Sequence, residues 1–359
     1  MNSAASERER LVALLAALED ASRAATLPAD ETTIAVARHH RLTPLLSATR
    51  PAALPPTLAE AFRRDRIETA ARQLVLGQVA ESCIGQLAAA GIPAVVLKGV
   101  DYQARLYDAA GVRPTADVDL LVPDRARRDA FRVLDRLGFE PRAAAPGFDE
   151  PDYHEVAWTR ADAEIDLHLA LAPLVRGRID YAAVWAEVRP VRLGATDASV
   201  LAPAHATLFH ALHMAIDHFA VPAIYLLDLG RLLDLCGDPE ALVDLGRRWR
   251  CLGPLATATR LAAAFLPGVR PLGDGDLRAA PVIAGYGTTA PLPRREQLWR
   301  KLRHFDGPTD AARYLLTQSR RNLREQIERR WRGRSARERL RLPPRGSEPV
   351  DLAKISPPK

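Results

Sequence analysis

Cysteine is scarce in this chain: Cys83, Cys236 and Cys251 are its only three in 359 residues. No two of them stand in C-x-x-C spacing, which removes a zinc ribbon and a thioredoxin-like redox site from consideration. A sparse, odd set fits a reducing compartment. Aromatic residues are also few, at 6%. Long apolar runs are missing, so no segment reads as a bilayer span. The opening MNSAASERERLVALLAALED is charged within its first ten residues and repeats apolar positions at helical spacing, which is not the pattern of a cleaved leader. The expectation is a cytoplasmic protein.

What is abundant is Ala, Leu and Arg, with hydrophobic residues at 48%. That composition supports a buried core and favours helices. The net charge of +6 is unevenly placed. Between Arg320 and Arg345 eleven arginines face three glutamates, a local excess of +8, so the rest of the chain is slightly acidic. The basic character belongs to the C-terminal stretch and says nothing about a catalytic region.

The hydrophobic pattern divides the chain. Residues 7–50 read as two helices and 56–90 as one long helix or a broken pair, stopped by Gly91 and Pro93. The pattern then changes to short strands (94–97, 116–122, 154–160, 163–171) with helices over 100–108 and 125–139, in the order β-α-β-α-β-β. From Pro203 the pattern is helical again, over 203–219, 222–236, 239–250 and 253–266. The expected organisation is an N-terminal helical region (1–90), an α/β core with a mixed sheet (91–200) and a helical domain (201–267). A Gly- and Pro-rich loop with a basic helical extension (268–345) and a disordered tail (346–359) follow. No internal repeat is present.

One stretch of the core is chemically unusual. In ADVDLLV, Asp117 and Asp119 stand two apart in an apolar strand. Residues i and i+2 of a strand share a face, so both carboxylates project together. Burying two unpaired charges is costly, and a divalent cation resolves the conflict. A solitary D-x-D carries little weight, because acidic pairs at strand ends are common. A third carboxylate adds to it: EIDLHL places Asp166 mid-strand, with Glu164 on the same face. If that strand lies beside 117–122, the three carboxylates converge, as two-metal phosphoryl chemistry requires. Upstream, Lys98-Gly99 sits where a strand turns into a helix. There glycine lets backbone approach a phosphate, the helix start points N–H groups at it, and lysine adds a cation.

In these motifs the chain resembles the nucleotidyltransferase superfamily that includes DNA polymerase beta and the aminoglycoside nucleotidyltransferases. Lys98-Gly99 stands where that superfamily usually shows Gly-Gly or Gly-Ser. More closely, LKG, Tyr107-Asp108, RPTADVDLLV and IDLH resemble an uncharacterised bacterial nucleotidyltransferase family akin to the AbiEii-type toxins. The likeness covers roughly 10–265, including HRLTPLL (40–46), HALHMA (210–215) and YLLDLGRLLD (225–234). It implies a polymerase-beta-like core with helical flanks and an active site in the cleft between core and helical domain. It also implies that Asp117 and Asp119 hold Mg²⁺, with two ions expected, and that Asp166 is the third carboxylate, helping to hold the metal or to activate the acceptor hydroxyl. Lys98 and Gly99 would hold the phosphates of a nucleoside triphosphate. Arg113 would be a further phosphate contact or an orienter of Asp117.

Other polar residues have blander readings. His168, two after Asp166, is expected to hydrogen-bond a site carboxylate, and His154 to be structural. His205, His210, His213, Asp217 and His218 read as a helix-packing cluster; zinc on His213 and Asp217, four apart, is the sharper alternative. Asp228 is expected to pair with Arg231 or Arg250, or to reach the nucleotide. The basic extension reads as a solvated helix with pairs such as Glu325 and Arg329, as a surface for an acidic partner or membrane, or as an RNA contact. The acceptor is expected to be a small molecule, peptide or sugar, with tRNA and a catalytically silent scaffold as alternatives. Replacing Asp117 and Asp119 together with Asn is expected to abolish activity in a folded protein and to raise the melting temperature without metal.

Overall fold

The computed structural model describes residues 3–142, 154–161, 163–173, 178–274, 276–303 and 305–329. Four helices open the chain: α1 (Ser3–Glu19), α2 (Ala21–Ala25), α3 (Glu31–His39) and α4 (Thr43–Thr49). Two were expected. The breaks come from N-caps: Asp20 accepts from the Ser22 N–H, and Asp30 from the Thr33 N–H, each satisfying an otherwise orphaned donor. Then α5 (Pro56–Ala89) runs unbroken for 34 residues, with proline at its first turn. It ends in a Schellman motif: Ile92 N–H donates to Leu87 O and Gly91 N–H to Ala88 O, with Gly91 at φ 69.

The α/β part follows as β1 (Val95–Val96), α6 (Lys98–Leu106), β2 (Val118–Leu121), α7 (Arg127–Arg136), β3 (Glu140–Pro141), β4 (Glu155–Arg160) and β5 (Ala163–His168). Beyond the expected order come a short α8 (Tyr181–Ala186) and a hairpin of β6 (Arg189–Leu193) and β7 (Thr196–Val200). The seven strands form one mixed sheet in the order β3-β4-β5-β2-β1-β7-β6. β2 runs parallel to β5 and antiparallel to β1, and β1 runs parallel to β7. The expected α/β core with a mixed sheet and helical flanks is present.

Helices α9 (Pro203–Ile216), α10 (Ile224–Cys236), α11 (Pro239–Arg248) and α12 (Leu252–Ala263) complete the helical half. Inside the stretch expected to be a loop, Asp276–Ala284 forms α13. The basic extension contains α14 (Arg294–Arg303) and α15 (Pro308–Arg329). Its remainder, and the tail expected to be disordered, lie outside the described residues. Among the described residues no helix is long and apolar enough to cross a membrane.

The two sheet faces bury different partners. Val118, Leu120, Val122, Ile165 and Leu167 pack in one cluster with Leu76, Val79, Ile84 and Leu87 of α5 and with Phe131 and Leu134 of α7. Leu97 and Leu121 join a second cluster with Leu11 and Leu14 of α1, Phe209 and Leu212 of α9 and Leu226 of α10. The N-terminal and C-terminal helices therefore share one core against the second face. Period-two alternation puts Asp119 on that second face too, so its charge faces the helical half.

Candidate active site

Asp119 and Asp166 are Cα partners on the adjacent parallel strands β2 and β5. Parallel partners point the same way, and Asp117 shares the face because it lies two residues before Asp119. Carboxylate oxygens of Asp117, Asp119 and Asp166 lie within 4.8 Å of one another. Among the described residues they are the one set of three such side chains close enough to share a metal ion. Glu164 is tied to Arg142 at 2.8 Å, away from the trio.

The loop that delivers Asp117 is held by the middle of α5. Arg72 donates to Ala116 O at 2.8 Å, Gln73 to Arg113 O at 2.8 Å, and Gln73 accepts from the Gly111 N–H at 2.9 Å. Behind it, Gly99 lies so near that a Cβ there would overlap the Thr115 hydroxyl. A side chain at 99 would force the Thr115 hydroxyl to turn aside.

Asp119 is 1% exposed. Its Oδ1 accepts from Lys98 Nζ at 2.9 Å and meets His168 Nε2 at 3.1 Å. Burial alone would raise this carboxyl, but Lys98 and His168 outweigh it and hold it far below the ordinary range. The other oxygen, Oδ2, is buried and has no hydrogen-bond partner among the described residues. The remaining two carboxyls go the other way. Asp117 is raised by burial and by Asp119, with Lys98, Arg41 and Arg113 opposing. Asp166 is raised well above the carboxylate range by burial first and Asp119 second, with His168 opposing. Lys98 and His168 together do not balance three carboxylates, and the orphaned Oδ2 faces a cost that a cation would remove. The residues therefore fit a divalent metal such as Mg²⁺, an oxygen-seeking ion.

Arg113 is 2% exposed and commits its guanidinium to Asp228, at 2.9 and 3.1 Å. Tyr107 donates to the same Asp228 at 2.7 Å. Asp228 thus pairs with Arg113 and not with the expected Arg231 or Arg250; Arg231 stacks on the Tyr107 ring instead. This buried trio joins α10 to the loop ahead of Asp117.

His168 takes the carboxylate bond expected of it, and His154 lies beside it, 6.4 Å between ring centroids. His205 stacks on Trp249, and His210 meets Tyr225 O at 2.9 Å. His213 stacks on Tyr225 and sits 3.5 Å from Asp217. Those last two gain no third ligand among the described residues. Burial first, and then Lys98, keeps His213 neutral, so it borders the site as an uncharged ring.

Arg41 is a residue that motif reading passed over. Its guanidinium bears on Asp117 and on Tyr225, and its backbone is left-handed, φ 58. It lies in the stretch HRLTPLL, where no glycine marks the left-handed turn.

No curated protein matches the chain. The profile of a family described as an uncharacterised nucleotidyltransferase matches residues 29–267, spanning the sheet, the aspartates and the helices on both sides. The chain belongs to that nucleotidyltransferase family.

Proposed function

We propose that this protein moves a nucleoside monophosphate from a nucleoside triphosphate to the hydroxyl or phosphate of an acceptor, with Mg²⁺ at Asp117, Asp119 and Asp166. The observation that carries the reading is the convergence of those carboxylates within 4.8 Å around a buried, unpartnered Asp119 Oδ2. When bound, Mg²⁺ supplies positive charge to the phosphates and to the attacking and leaving oxygens.

The chain's own residues orient and position. Lys98 and His168 lock Asp119 in its ionised form and in one rotamer. Asp166, whose carboxyl is the most easily protonated of the three, receives the proton of the acceptor hydroxyl. The acceptor oxygen forms a bond to the α-phosphorus, the bond from that phosphorus to the bridging oxygen breaks, and pyrophosphate leaves. The start of α6 at Lys98 and Gly99 presents backbone N–H groups to the phosphates. Arg113 acts at one remove: its pair with Asp228 fixes the loop carrying Asp117. Positioning and charge neutralisation supply most of the rate, as is general for phosphoryl chemistry.

The acceptor in this reading is a small molecule, peptide or sugar. The test incubates the protein with α-labelled triphosphates, Mg²⁺ and either a metabolite extract or total tRNA. Label on small molecules supports the reading, and label on RNA moves the acceptor to tRNA. No transferred label from any of the four triphosphates, with the nucleotide still bound, would make the protein a silent nucleotide binder.

A further inference from the structure

A pocket of about 620 Å³ opens beside the loop that carries Asp117, between the α3–α4 turn and the middle of α5. Four arginines line it, Arg38, Arg41, Arg64 and Arg72, against the acids Asp65 and Glu68. Three of the four are engaged. Arg38 binds Asp65 through two bonds of 2.9 and 3.0 Å, Arg64 meets Glu60 at 3.4 Å, and Arg72 holds Ala116 O. Arg41 differs: among the described residues no hydrogen bond or ion pair holds its guanidinium.

The backbone makes that more telling. Helix α3 ends in a Schellman motif, with Leu42 N–H donating to Ala37 O at 2.9 Å and Arg41 N–H to Arg38 O at 3.0 Å. Arg41 occupies the left-handed position of this motif, at φ 58. Glycine fills that position at no steric cost, and a side chain there is disfavoured. Arg250 fills the same left-handed position at the end of α11, so the backbone fixes where the Arg41 side chain starts, and its lack of a hydrogen bond or ion pair among the described residues is what sets it apart in this pocket.

The pocket's position indicates what the cation meets. Its wall includes Pro114 and Thr115, and Thr115 lies against Gly99 at the start of α6. Thr115 thus joins the pocket wall to the start of α6, and Arg41 is close enough to Asp117 to act on its carboxyl. The other cations near the aspartates are spent, Lys98 on Asp119 and Arg113 on Asp228.

We infer that Arg41 and its pocket receive the terminal phosphates of the triphosphate, the pair that departs as pyrophosphate. The inference rests on the nucleotidyl-transfer reading for its biological sense, but the binding it claims is separable from transfer. An arginine from a helical turn outside the sheet would then complete a phosphate site begun at Lys98 and Gly99.

The test is calorimetric titration of inorganic tripolyphosphate with Mg²⁺ into the wild type, Arg41→Gly and Arg41→Lys. One charge-assisted phosphate contact corresponds to a loss of about tenfold or more in affinity. The expected result is that loss in Arg41→Gly and a smaller one in Arg41→Lys. Arg41→Gly should also melt no lower than wild type, because glycine relieves the left-handed strain, so the loss is not one of folding. Equal affinity in wild type and Arg41→Gly overturns the inference, and so does a wild type that does not bind tripolyphosphate. Binding that depends on Arg41 with no transfer from any nucleotide would sink the transfer reading and leave the pocket standing. Transfer with an unchanged KM for the triphosphate in Arg41→Gly would do the reverse.

Discussion

Lys98 Nζ lies 2.9 Å from Asp119 Oδ1, both side chains nearly sealed from solvent. This pair separates the three carboxylates into one that is a counter-ion and two that are surplus. Asp119 balances Lys98 and holds His168, whereas Asp117 and Asp166 have their carboxyls raised by burial and by Asp119.

The first prediction follows from that split. Asp119→Asn leaves Lys98 buried without its counter-charge and costs about 3–5 kcal/mol. Asp117→Asn and Asp166→Asn remove repulsion and raise the melting temperature of the metal-free protein at pH 8. The clustered charges in the sequence suggest a rise when Asp117 and Asp119 are replaced together; the Lys98 pair reverses the sign for Asp119. Thermal melts of the three single variants in chelator distinguish the cases.

Mg²⁺ should stabilise the protein more at pH 8 than at pH 6. With the folded Asp166 carboxyl raised to about 7, the metal must displace its proton at the lower pH, so its affinity grows as that group ionises. At Mg²⁺ one hundred times its dissociation constant the gain is about 2.7 kcal/mol. Melting temperatures at both pH values, with and without Mg²⁺, check this; an equal shift at both contradicts it.

Arg113 and Asp228 form a second enclosed ion pair, and removing one partner strands the other. Asp228→Asn and Arg113→Met should each destabilise by about 3–5 kcal/mol, with transfer lost as the Asp117 loop loosens. The double variant Arg113→Met, Asp228→Leu should recover most of the stability without recovering activity. Denaturant midpoints beside transfer rates test both halves.

Two buried histidines predict acid sensitivity. His40 accepts the Ala223 N–H on Nδ1, and His210 has its Nδ1 buried without a partner, so neither has room for a second proton. Burial pushes His40 down to about 3 and His210 to about 4. Folded values below the unfolded 6.5 mean that this stability is complete above pH 6.5 and is lost as pH falls towards 4 and 3. By pH 5 each histidine costs about 2 kcal/mol. The raised Asp166 carboxyl acts in the opposite sense, so the histidine part is read as a difference. His210→Phe, which keeps a ring beside Tyr225, should show a shallower fall in stability between pH 7 and pH 5 than the wild type.

Much of the site was legible because it rests on local periodicity. Two-residue spacing puts Asp117 beside Asp119 and, in IDLH, Asp166 beside His168, whatever the strands then pair with. The glycine that ends α5 was equally plain. What the sequence hides is non-local. That Asp166 falls in register with Asp119 depends on β5, already paired with β4, lying parallel against β2 on its other edge. That Arg113 meets Asp228 depends on α10 folding back over 115 residues. The β6–β7 hairpin left a faint trace in Val191 and Leu193 alternating before Gly194, blurred by Pro190 and two arginines. The two-helix reading of 7–50 gives no weight to Asp20 and Asp30, whose side chains cap α2 and α3 and break the run. Arg41 was not legible as special, because nothing in HRLTPLL announces a left-handed arginine.

The most direct test of the metal claim is a titration with Mn²⁺, followed by loss of the free-ion magnetic resonance signal, in the presence of a non-hydrolysable triphosphate. The wild type should take up two ions per chain, and an Asp117→Asn, Asp166→Asn double variant with a normal melting curve should take up none. Equal uptake by both proteins, or no uptake by the wild type, would contradict the claim that these aspartates form a cation site.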